Sequence, residues 1–276
     1  MNVGIVGTGL IGGSLAKAYK QEGNKIYGFD KDESILSFAC LSGAVDEPLD
    51  EKSIAECDVI FLALNPGDAV SYLEKNASKI KKNTFVMDCC GVKRFVCSRC
   101  FPLAKKYGFV FVGAHPMAGS HKAGLKNSRE NLFRGASIIL VPPVYDDPAL
   151  FGRIEEILKP AGFAHLTVTT AEKHDKMIAF SSQMAHIVSN AYIKSPAARE
   201  HKGFSAGSYK DLTRVAQLDA EMWSQLCLEN SDFLIKELDS FIKEVRRYKR
   251  TLEEKNKNKL KELLEEGSRL KKETDG

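Results

Sequence analysis

The sequence contains no long apolar run. A membrane-spanning helix needs about 20 consecutive, mostly apolar residues, and no such stretch occurs among the 276 residues. The amino-terminal residues also lack the charged segment and the following apolar segment of a secretory signal. We therefore expect no membrane segment and a cytoplasmic location.

An excess of charge of one sign is missing as well. The net charge is only +4, and near the carboxyl end the lysines are interleaved with glutamates. Nucleic-acid-binding domains carry their basic residues as a one-sided patch or stripe. The balanced charge therefore argues against a nucleic-acid partner.

Paired metal-binding cysteine motifs are also missing. Cys97 and Cys100 form one C-x-x-C pair, but Cys89 and Cys90 are adjacent to each other. This spacing is a poor match to the ligands of a zinc site. We therefore expect packed thiols and no bound metal, with a zinc or redox role as the alternative.

What the sequence does contain begins at its amino-terminal end. A short β-branched run leads into Gly-x-Gly-x-x-Gly, with glycines at Gly7, Gly9 and Gly12. A helix is predicted over Leu10–Gln21, and its first residues, Leu10 and Ile11, belong to the same motif. This order is the dinucleotide-binding fingerprint. The first glycine allows the tight turn, the second lets the backbone approach a pyrophosphate, and the third lets helix and strand pack closely. The first turn of the helix then offers unpaired N–H groups to the phosphates.

The second predicted strand, Ile26–Phe29, is followed directly by Asp30. An acid at this point accepts hydrogen bonds from the ribose hydroxyls and repels a 2′-phosphate. Asp30 therefore favours NAD over NADP, although Lys31 comes next to it. The alternative is a glycine-rich turn that binds no ligand.

Strands and helices alternate through the first part of the chain. Continuous apolar runs such as Asp58–Leu64 are typical of strands buried on both faces of a parallel sheet. The alternation predicts an α/β fold with a Rossmann-type, doubly wound and mostly parallel sheet. Beyond it the pattern is helical only, with one long helix predicted over Ala171–Lys194. We expect a nucleotide-binding domain at 1–168 and an all-α domain at 169–276.

Ligands of such sheets bind beyond the carboxyl ends of the strands. Asn65 and Pro66 follow the run Asp58–Leu64 and are predicted to contact the dinucleotide. His115 follows the predicted strand Phe109–Val112, so we expect it near the nicotinamide. A histidine that titrates near neutrality can accept a hydroxyl proton while hydride leaves the same carbon. The alternative is a loop histidine that only satisfies backbone groups.

Two further groups of polar residues lie in the helical part. His174 and His186 are separated by about 3.3 turns of the predicted long helix, and either could equally be a packed core histidine. Arg214 could dock a carboxylate in a bidentate fork, with Asp211 holding the guanidinium in place. The alternative for this second group is an exposed ion pair.

Together these segments resemble the prephenate and arogenate dehydrogenases of tyrosine biosynthesis. The matching segments are VGIVGTGLIGGSLA, DCCGVK, GAHPMAGSHKAG, EKHDKMIAFSSQMAHIVSNA and GSYKDLTRVAQLDAEMW. The third is similar to the form found in many Gram-positive bacteria. The resemblance implies NAD-dependent oxidative decarboxylation of prephenate to 4-hydroxyphenylpyruvate, and a homodimer formed through the helical domain. It leads us to expect neither a fused chorismate mutase domain nor a regulatory ACT domain.

The resemblance also implies a role for each matching polar residue. His115 matches the catalytic base that takes the proton of the ring hydroxyl. Arg214 matches the residue that anchors the substrate, with Lys210 and Asp211 in the polar network around it. The other implied pocket positions are Ser120, His121, His174 and His186.

At Gly91 the sequence departs from the family, which usually has a serine there that hydrogen-bonds the catalytic histidine. The missing hydroxyl predicts a lower activity or a substitute group nearby. The basic His121 suits the keto acid prephenate better than the amine of arogenate, which is the alternative substrate. A dehydrogenase of the β-hydroxyacid type and a non-catalytic nucleotide sensor are the remaining alternatives.

Overall fold

An eight-stranded sheet forms the first part of the chain in this computed structural model, which describes residues 1–119 and 122–275. Its strands are β1 (Asn2–Val6), β2 (Lys25–Phe29), β3 (Glu47–Pro48), β4 (Val59–Leu62), β5 (Phe85–Asp88), β6 (Val110–Pro116), β7 (Ser137–Val141) and β8 (His165–Val168). They lie in the order β3-β2-β1-β4-β5-β6-β7-β8, and of these described strands only β6 and β7 pair in antiparallel fashion. This confirms the predicted doubly wound, mostly parallel sheet.

The described α-helices fall into two groups. The first group packs on the sheet and comprises α1 (Leu10–Gln21), α2 (Glu33–Leu41), α3 (Pro66–Asn76), α4 (Arg94–Tyr107) and α5 (Pro148–Leu158). The second group follows β8 and comprises α6 (Ala171–Ile178), α7 (Ala185–Tyr192), α8 (Gly207–Thr213), α9 (Ala220–Glu229), α10 (Ser231–Glu253) and α11 (Lys257–Asp275). No helix in the described part of the chain has the length and apolar character that crossing a membrane requires.

The core consists of two apolar clusters, one on each face of the sheet. Ile5 belongs to one cluster and Val6 to the other, as expected for adjacent strand residues that point to opposite faces. Leu15 of α1 and Ile154 of α5 complete the first cluster, and Leu73 of α3 the second. Because both faces are covered, ligands can reach the sheet at the carboxyl ends of its strands.

The strand β6 is longer than the sequence predicts. Its first residues pair with β5, with Val110 opposite Phe85, and its last residues pair with antiparallel β7, with His115 opposite Ile139. The prediction that this strand ends at Val112 was wrong because β7, which is distant in the sequence, supplies partners for the following residues. His115 therefore lies on the sheet rather than on a loop.

The helix predicted over Ala171–Lys194 is not a continuous α-helix. Between α6 and α7 the residues Ala179–Met184 form a π-helix. Since its hydrogen bonds span five residues instead of four, it rotates the residues that follow relative to an uninterrupted α-helix. His174 and His186 lie on either side of the π-helix. The angle between the directions of their side chains therefore differs from the angle that an uninterrupted α-helix would give.

Candidate active site

The glycine turn between β1 and α1 has the geometry that a bound pyrophosphate needs. Gly7 has a φ of +89°, and an added Cβ would lie 2.5 Å from the carbonyl oxygen of Ala63. A Cβ on Gly12 would lie 1.8 Å from the oxygen of Gly7, so glycine is required at both positions. A Cβ on Gly9 would meet no described atom within 4 Å. Gly9 thus borders open space at the first turn of α1, which has no side-chain cap and can offer its N–H groups to phosphate.

A cleft of about 300 Å³ extends from this turn. We call it the dinucleotide cleft. Leu10 does not line it but packs against the core, and Gly12 is buried between helix and strand. The predicted cofactor residues that do line it are Gly7, Gly9, Ile11, Asp30, Asn65 and Pro66.

Asp30 lies at the end of β2, in the wall of the dinucleotide cleft. Its Oδ2 accepts hydrogen bonds from the backbone N of Thr8 at 2.8 Å and from the Thr8 hydroxyl at 3.1 Å. Its Oδ1 accepts one from the backbone N of Asp32 at 3.1 Å. The neighbouring Lys31 lies 3.5 Å from Asp68, which offsets the lysine charge. The surroundings of Asp30 therefore suit the ribose of NAD better than a 2′-phosphate.

A second cleft of about 420 Å³ opens beside the first. We call it the substrate cleft. His115 lines it from the sheet, and His186 and Trp223 line it from the helical part. The residues that line both clefts are Ile11, Cys89, Gly91, Met222 and Leu226. The two clefts are therefore continuous, and the second lies between the two domains.

His115 is hydrogen-bonded to a second histidine. Its Nδ1 lies 2.9 Å from Nε2 of His174, and Nδ1 of His174 lies 2.7 Å from Oδ1 of Asp175. Burial lowers the pKa of His115 well below its usual range, and the neighbouring His174 and Lys93 lower it further. His115 is therefore uncharged near neutral pH, which is the form that a general base needs.

The position of His174 differs from the expectation that it lines the substrate pocket. It is buried behind His115 and is not among the described residues that line either cleft. Both of its ring nitrogens are taken, one by His115 and one by Asp175. Burial lowers its pKa, although the hydrogen bond to Asp175 acts in the opposite direction. His174 therefore contacts the candidate base.

Asp175 is held at the amino-terminal end of α4. It accepts hydrogen bonds from the backbone N of Lys93 at 2.7 Å and of Arg94 at 2.9 Å, and the Arg94 side chain reaches it at 3.3 Å. The same guanidinium pairs with Asp232 at the start of α10. Burial by itself would raise the pKa of the Asp175 carboxyl, but the hydrogen bonds from His174 and the two backbone N–H groups lower it. Asp175 is therefore ionised.

A fully buried ion pair of Lys93 and Asp88 supports the backbone at His115. The Lys93 ammonium also donates to the carbonyl oxygen of Ala114 at 2.6 Å, and Asp88 accepts from the backbone N of Ala114 at 3.0 Å. Removing one partner of a buried pair costs about 3–5 kcal/mol. Because Ala114 directly precedes His115, the pair fixes the position of the His115 backbone in β6.

His186 lines the substrate cleft from α7. Its ring packs on that of Trp223, with centroids 4.0 Å apart and planes at 33°. Its Nδ1 lies 2.9 Å from the carbonyl oxygen of Ser182, one helical turn earlier. Both contacts fix the orientation of the imidazole at the cleft wall, while its contact with substrate stays a prediction.

Three of the other predicted substrate residues lie on or directly after α8. Lys210 and Asp211 are on α8, Arg214 follows it directly, and all three are exposed. None of the three is among the described residues that line either cleft. Their roles therefore stay predictions. Ser120 and His121 lie outside the described residues.

The cysteines are unpaired thiols. Cys97 and Cys100 are buried on α4, and burial raises the pKa of both thiols, that of Cys100 to about 12. Metal binding requires the thiolate, so these protonated groups are poor ligands. Within 1–119 and 122–275, no three or more His, Cys, Asp or Glu residues are grouped in a way that could hold a metal ion.

Family models cover most of the chain. The model of the prephenate dehydrogenase nucleotide-binding domain matches residues 15–167, and that of the prephenate dehydrogenase dimerization domain matches residues 170–266. The chain belongs to the prephenate dehydrogenase family. The gap between the two matches contains the predicted domain boundary after residue 168.

Three comparisons show how similar this chain is to individual dehydrogenases. The prephenate dehydrogenase of Bacillus subtilis (strain 168) is 29% identical over 266 residues, which is 93% of this chain and 71% of that protein. The A. aeolicus prephenate dehydrogenase, solved in complex with hydroxyphenyl propionate and NAD+, is 28% identical with a TM-score of 0.82, over 100% of this chain and 98% of that one. The Synechocystis arogenate dehydrogenase is 26% identical with a TM-score of 0.79, over 98% and 99%.

Three residues that support the candidate base of this family member have no role predicted from the sequence. They are Lys93, Arg94 and Asp175. Lys93 is the last residue of the segment DCCGVK, Arg94 follows that segment, and Asp175 follows His174. Their position next to residues already selected is the one feature of the sequence that could have indicated a role. Their contacts could not be predicted because Lys93 and Asp175 are 82 residues apart in the sequence.

Proposed function

We propose that this protein catalyses the NAD-dependent oxidative decarboxylation of prephenate to 4-hydroxyphenylpyruvate. The position of His115 carries the proposal: an uncharged base lines a substrate cleft that is continuous with the dinucleotide cleft. In this arrangement we expect a bound substrate to lie beside the nicotinamide. The names of the relatives, and the solved relative with NAD+ and hydroxyphenyl propionate, support the same reaction.

The residues of the chain need to supply alignment and one base. His115 accepts the proton of the ring hydroxyl as its O–H bond breaks. When bound, NAD accepts the hydride from the carbon that carries this hydroxyl. Carbon dioxide leaves the opposite ring carbon and the ring becomes aromatic, which drives the reaction. Orientation of the reacting groups is therefore the main task of the cleft walls.

The substrate cleft favours prephenate over arogenate. Prephenate has a keto group where arogenate has an ammonium group. The described residues that line the cleft include no Asp or Glu, so they offer an ammonium group no carboxylate partner. An unpaired charge in a partly buried site is costly, whereas the keto group of prephenate carries no charge.

We also propose a homodimer formed through the helical domain. The dimerization-domain match covers residues 170–266. On α10 the apolar side chains of Ile235 and Val245 are 55% and 48% exposed in the single chain. Exposed apolar surface of this kind is typical of an interface between subunits. The domain boundary after residue 168 and the cytoplasmic location are retained as parts of the proposal.

Turnover of the two candidate substrates tests the proposed function. The full chain with NAD and prephenate should form NADH and 4-hydroxyphenylpyruvate in equal amounts, measured by absorbance and chromatography. With arogenate, kcat/KM should be lower by about tenfold or more, equivalent to about 1.4 kcal/mol. Turnover of arogenate alone would overturn the substrate assignment. NAD binding without turnover of either substrate would overturn the dehydrogenase itself.

A further inference from the structure

We propose that His174 and Asp175 are positioning residues that set the tautomer of His115, with the proton on Nδ1 and the lone pair on Nε2. The inference rests on the proposed function, since it gives the base the form in which Nε2 can accept the substrate proton. It follows from the donor and acceptor roles along one chain of hydrogen bonds, which starts at Asp175.

The first step is the role of Asp175 as an acceptor. Its two oxygens receive the backbone N–H groups of Lys93 and Arg94 at 2.7 and 2.9 Å, and these groups can only donate. The Arg94 guanidinium adds a further donor at 3.3 Å. The carboxyl is therefore ionised and cannot donate to His174, so Nδ1 of His174 must carry the hydrogen of the 2.7 Å bond.

The second step is the role of His174 as an acceptor towards His115. The ring is completely buried and lies close to the buried ammonium group of Lys93. Together these two effects lower the pKa of His174 more than the neighbouring Asp175 raises it, so His174 is neutral. A neutral imidazole with a proton on Nδ1 has a lone pair on Nε2. This lone pair lies 2.9 Å from Nδ1 of His115.

The third step assigns the proton of His115. Its Nδ1 faces an acceptor and therefore carries the hydrogen, because the bond made by one ring nitrogen decides which nitrogen is protonated. Nε2 is left with the lone pair, as a general base requires. Gly91, which lines the same cleft, has no side chain that could perform this task.

The same hydrogen bonds from His115 to His174 and from His174 to Asp175 stabilise His115 after it has accepted the proton. The hydroxyl O–H bond breaks, an Nε2–H bond forms, and the hydride leaves the carbinol carbon with its electron pair for the cofactor. The resulting imidazolium still donates from Nδ1 to His174, which donates to the negative Asp175. Both protons of the chain stay in place, and the carboxylate offsets the new positive charge.

Nitrogen-15 NMR of the full chain tests the tautomer without any substrate. The protein has six histidines, and the signals of His115 are those missing from the spectrum of His115→Gln. In the unliganded protein at pH 7.5 we expect a protonated Nδ1 and an unprotonated Nε2. A proton on Nε2 of His115 would overturn the inference.

Two substitutions of His174 test the consequence for turnover. His174→Leu removes the acceptor and should lower kcat for prephenate by about 10²-fold or more, with KM changed by less than about threefold, because a wrong tautomer of a histidine base costs up to about 10⁴-fold. His174→Gln retains a carbonyl oxygen as acceptor and should keep kcat within about tenfold of the wild type. Equal losses in both variants, or a wild-type kcat in His174→Leu, would contradict the inference.

A control separates this result from general damage and from failure of the proposed function. His165→Leu changes an exposed histidine on β8 and should leave kcat unchanged. NAD affinity should be the same in all variants, which reports that the nucleotide-binding domain is intact. If the wild type shows the expected tautomer but does not oxidise prephenate, the proposed function is wrong. If it oxidises prephenate with the proton on Nε2, only the tautomer inference is wrong.

Discussion

At the scale of the residue, Asp30 combines a structural role with a predicted role in cofactor choice. Its oxygens hold the glycine turn through the backbone and hydroxyl groups of Thr8. Its carboxylate lies in the wall of the dinucleotide cleft, beside the position expected for the ribose of a dinucleotide. The shape of the turn depends on the hydrogen bonds, whereas the choice between NAD and NADP depends on the charge.

The substitution Asp30→Asn tests the effect of the charge. It keeps the shape of the side chain but removes the repulsion of a 2′-phosphate and weakens the bonds to the ribose hydroxyls. NADH affinity should fall by about tenfold or more, since hydrogen bonds to charged groups contribute about 1.5–3 kcal/mol. NADPH affinity should fall less or rise. Fluorescence titration of both nucleotides gives the two Kd values.

Asp32→Asn is the matched control for this experiment. Asp32 caps α2 by accepting a hydrogen bond from the backbone N of Ser34 at 2.9 Å, and asparagine caps helices equally well. The ratio of the NADH and NADPH affinities should equal that of the wild type. Equal losses of both nucleotides in Asp30→Asn would show that Asp30 acts only through the turn.

The sequence predicts those residues of the site that belong to one local pattern. Gly7, Gly9 and Asp30 belong to a single fingerprint whose spacing carries the information. The partner of His115 is different, because His174 lies 59 residues further along the chain. Their contact arises where β6 and α6 come together in the folded protein, and no short-range spacing indicates it.

At the scale of the element, the amino-terminal end of α4 joins the two domains. Its first N–H groups bind Asp175 of the helical domain. The Arg94 side chain pairs with Asp232 and lies 4.3 Å from the ring centre of Phe233, both on α10. The amino-terminal end of α4 therefore binds both Asp175, which is hydrogen-bonded to the partner of His115, and the start of α10.

The substitution Arg94→Ala should weaken this junction. It removes hydrogen bonds to the carboxylates of Asp175 and Asp232, and the Asp175 carboxylate is completely buried. We expect the free energy of unfolding to fall by about 1.5–3 kcal/mol, the usual contribution of hydrogen bonds to charged groups. Urea unfolding at pH 7 measures the change.

Arg99→Ala is the control on the same helix. Arg99 is exposed, and its guanidinium stacks over Phe95 of its own helix, 3.9 Å from the ring centre. Surface substitutions of this kind change stability by about 0.5 kcal/mol or less. If Arg94→Ala destabilised the protein no more than Arg99→Ala, the contacts of Arg94 with the helical domain would not contribute to stability.

Element boundaries were predictable where local residues set them. The helix α1 begins and ends as predicted, at Leu10 and Gln21, because a glycine turn precedes it and a glycine follows it closely. The end of β6 and the π-helical section Ala179–Met184 were not predictable. The first depends on pairing with β7, and the second packs against α10, which is distant from it in the sequence.

At the scale of the whole molecule, the candidate site exists only where the two domains meet. The sheet supplies His115 and the glycine turn, and the helical domain supplies His174, His186 and the wall around Trp223. The precise partners across the boundary required the structure.

The pH dependence of turnover follows from this enclosure. Burial, His174 and Lys93 lower the pKa of His115 below 6.5, its ordinary value. The base is active when unprotonated, so activity is lost as the pH falls through this lowered pKa. We expect kcat/KM for prephenate to remain constant between pH 7.5 and 6.5 and to decline only at lower pH. A decline that begins above pH 7 would contradict the buried, uncharged base.

The most direct test of the central claim is the kcat of His115→Gln with NAD and prephenate, measured beside the wild type by NADH absorbance. His165→Gln, an exposed histidine on β8, is the control and should behave as the wild type. The loss of a general base should lower kcat by about 10²–10⁴-fold, while NAD affinity is retained. A kcat for His115→Gln equal to that of the wild type would show that His115 is not the base.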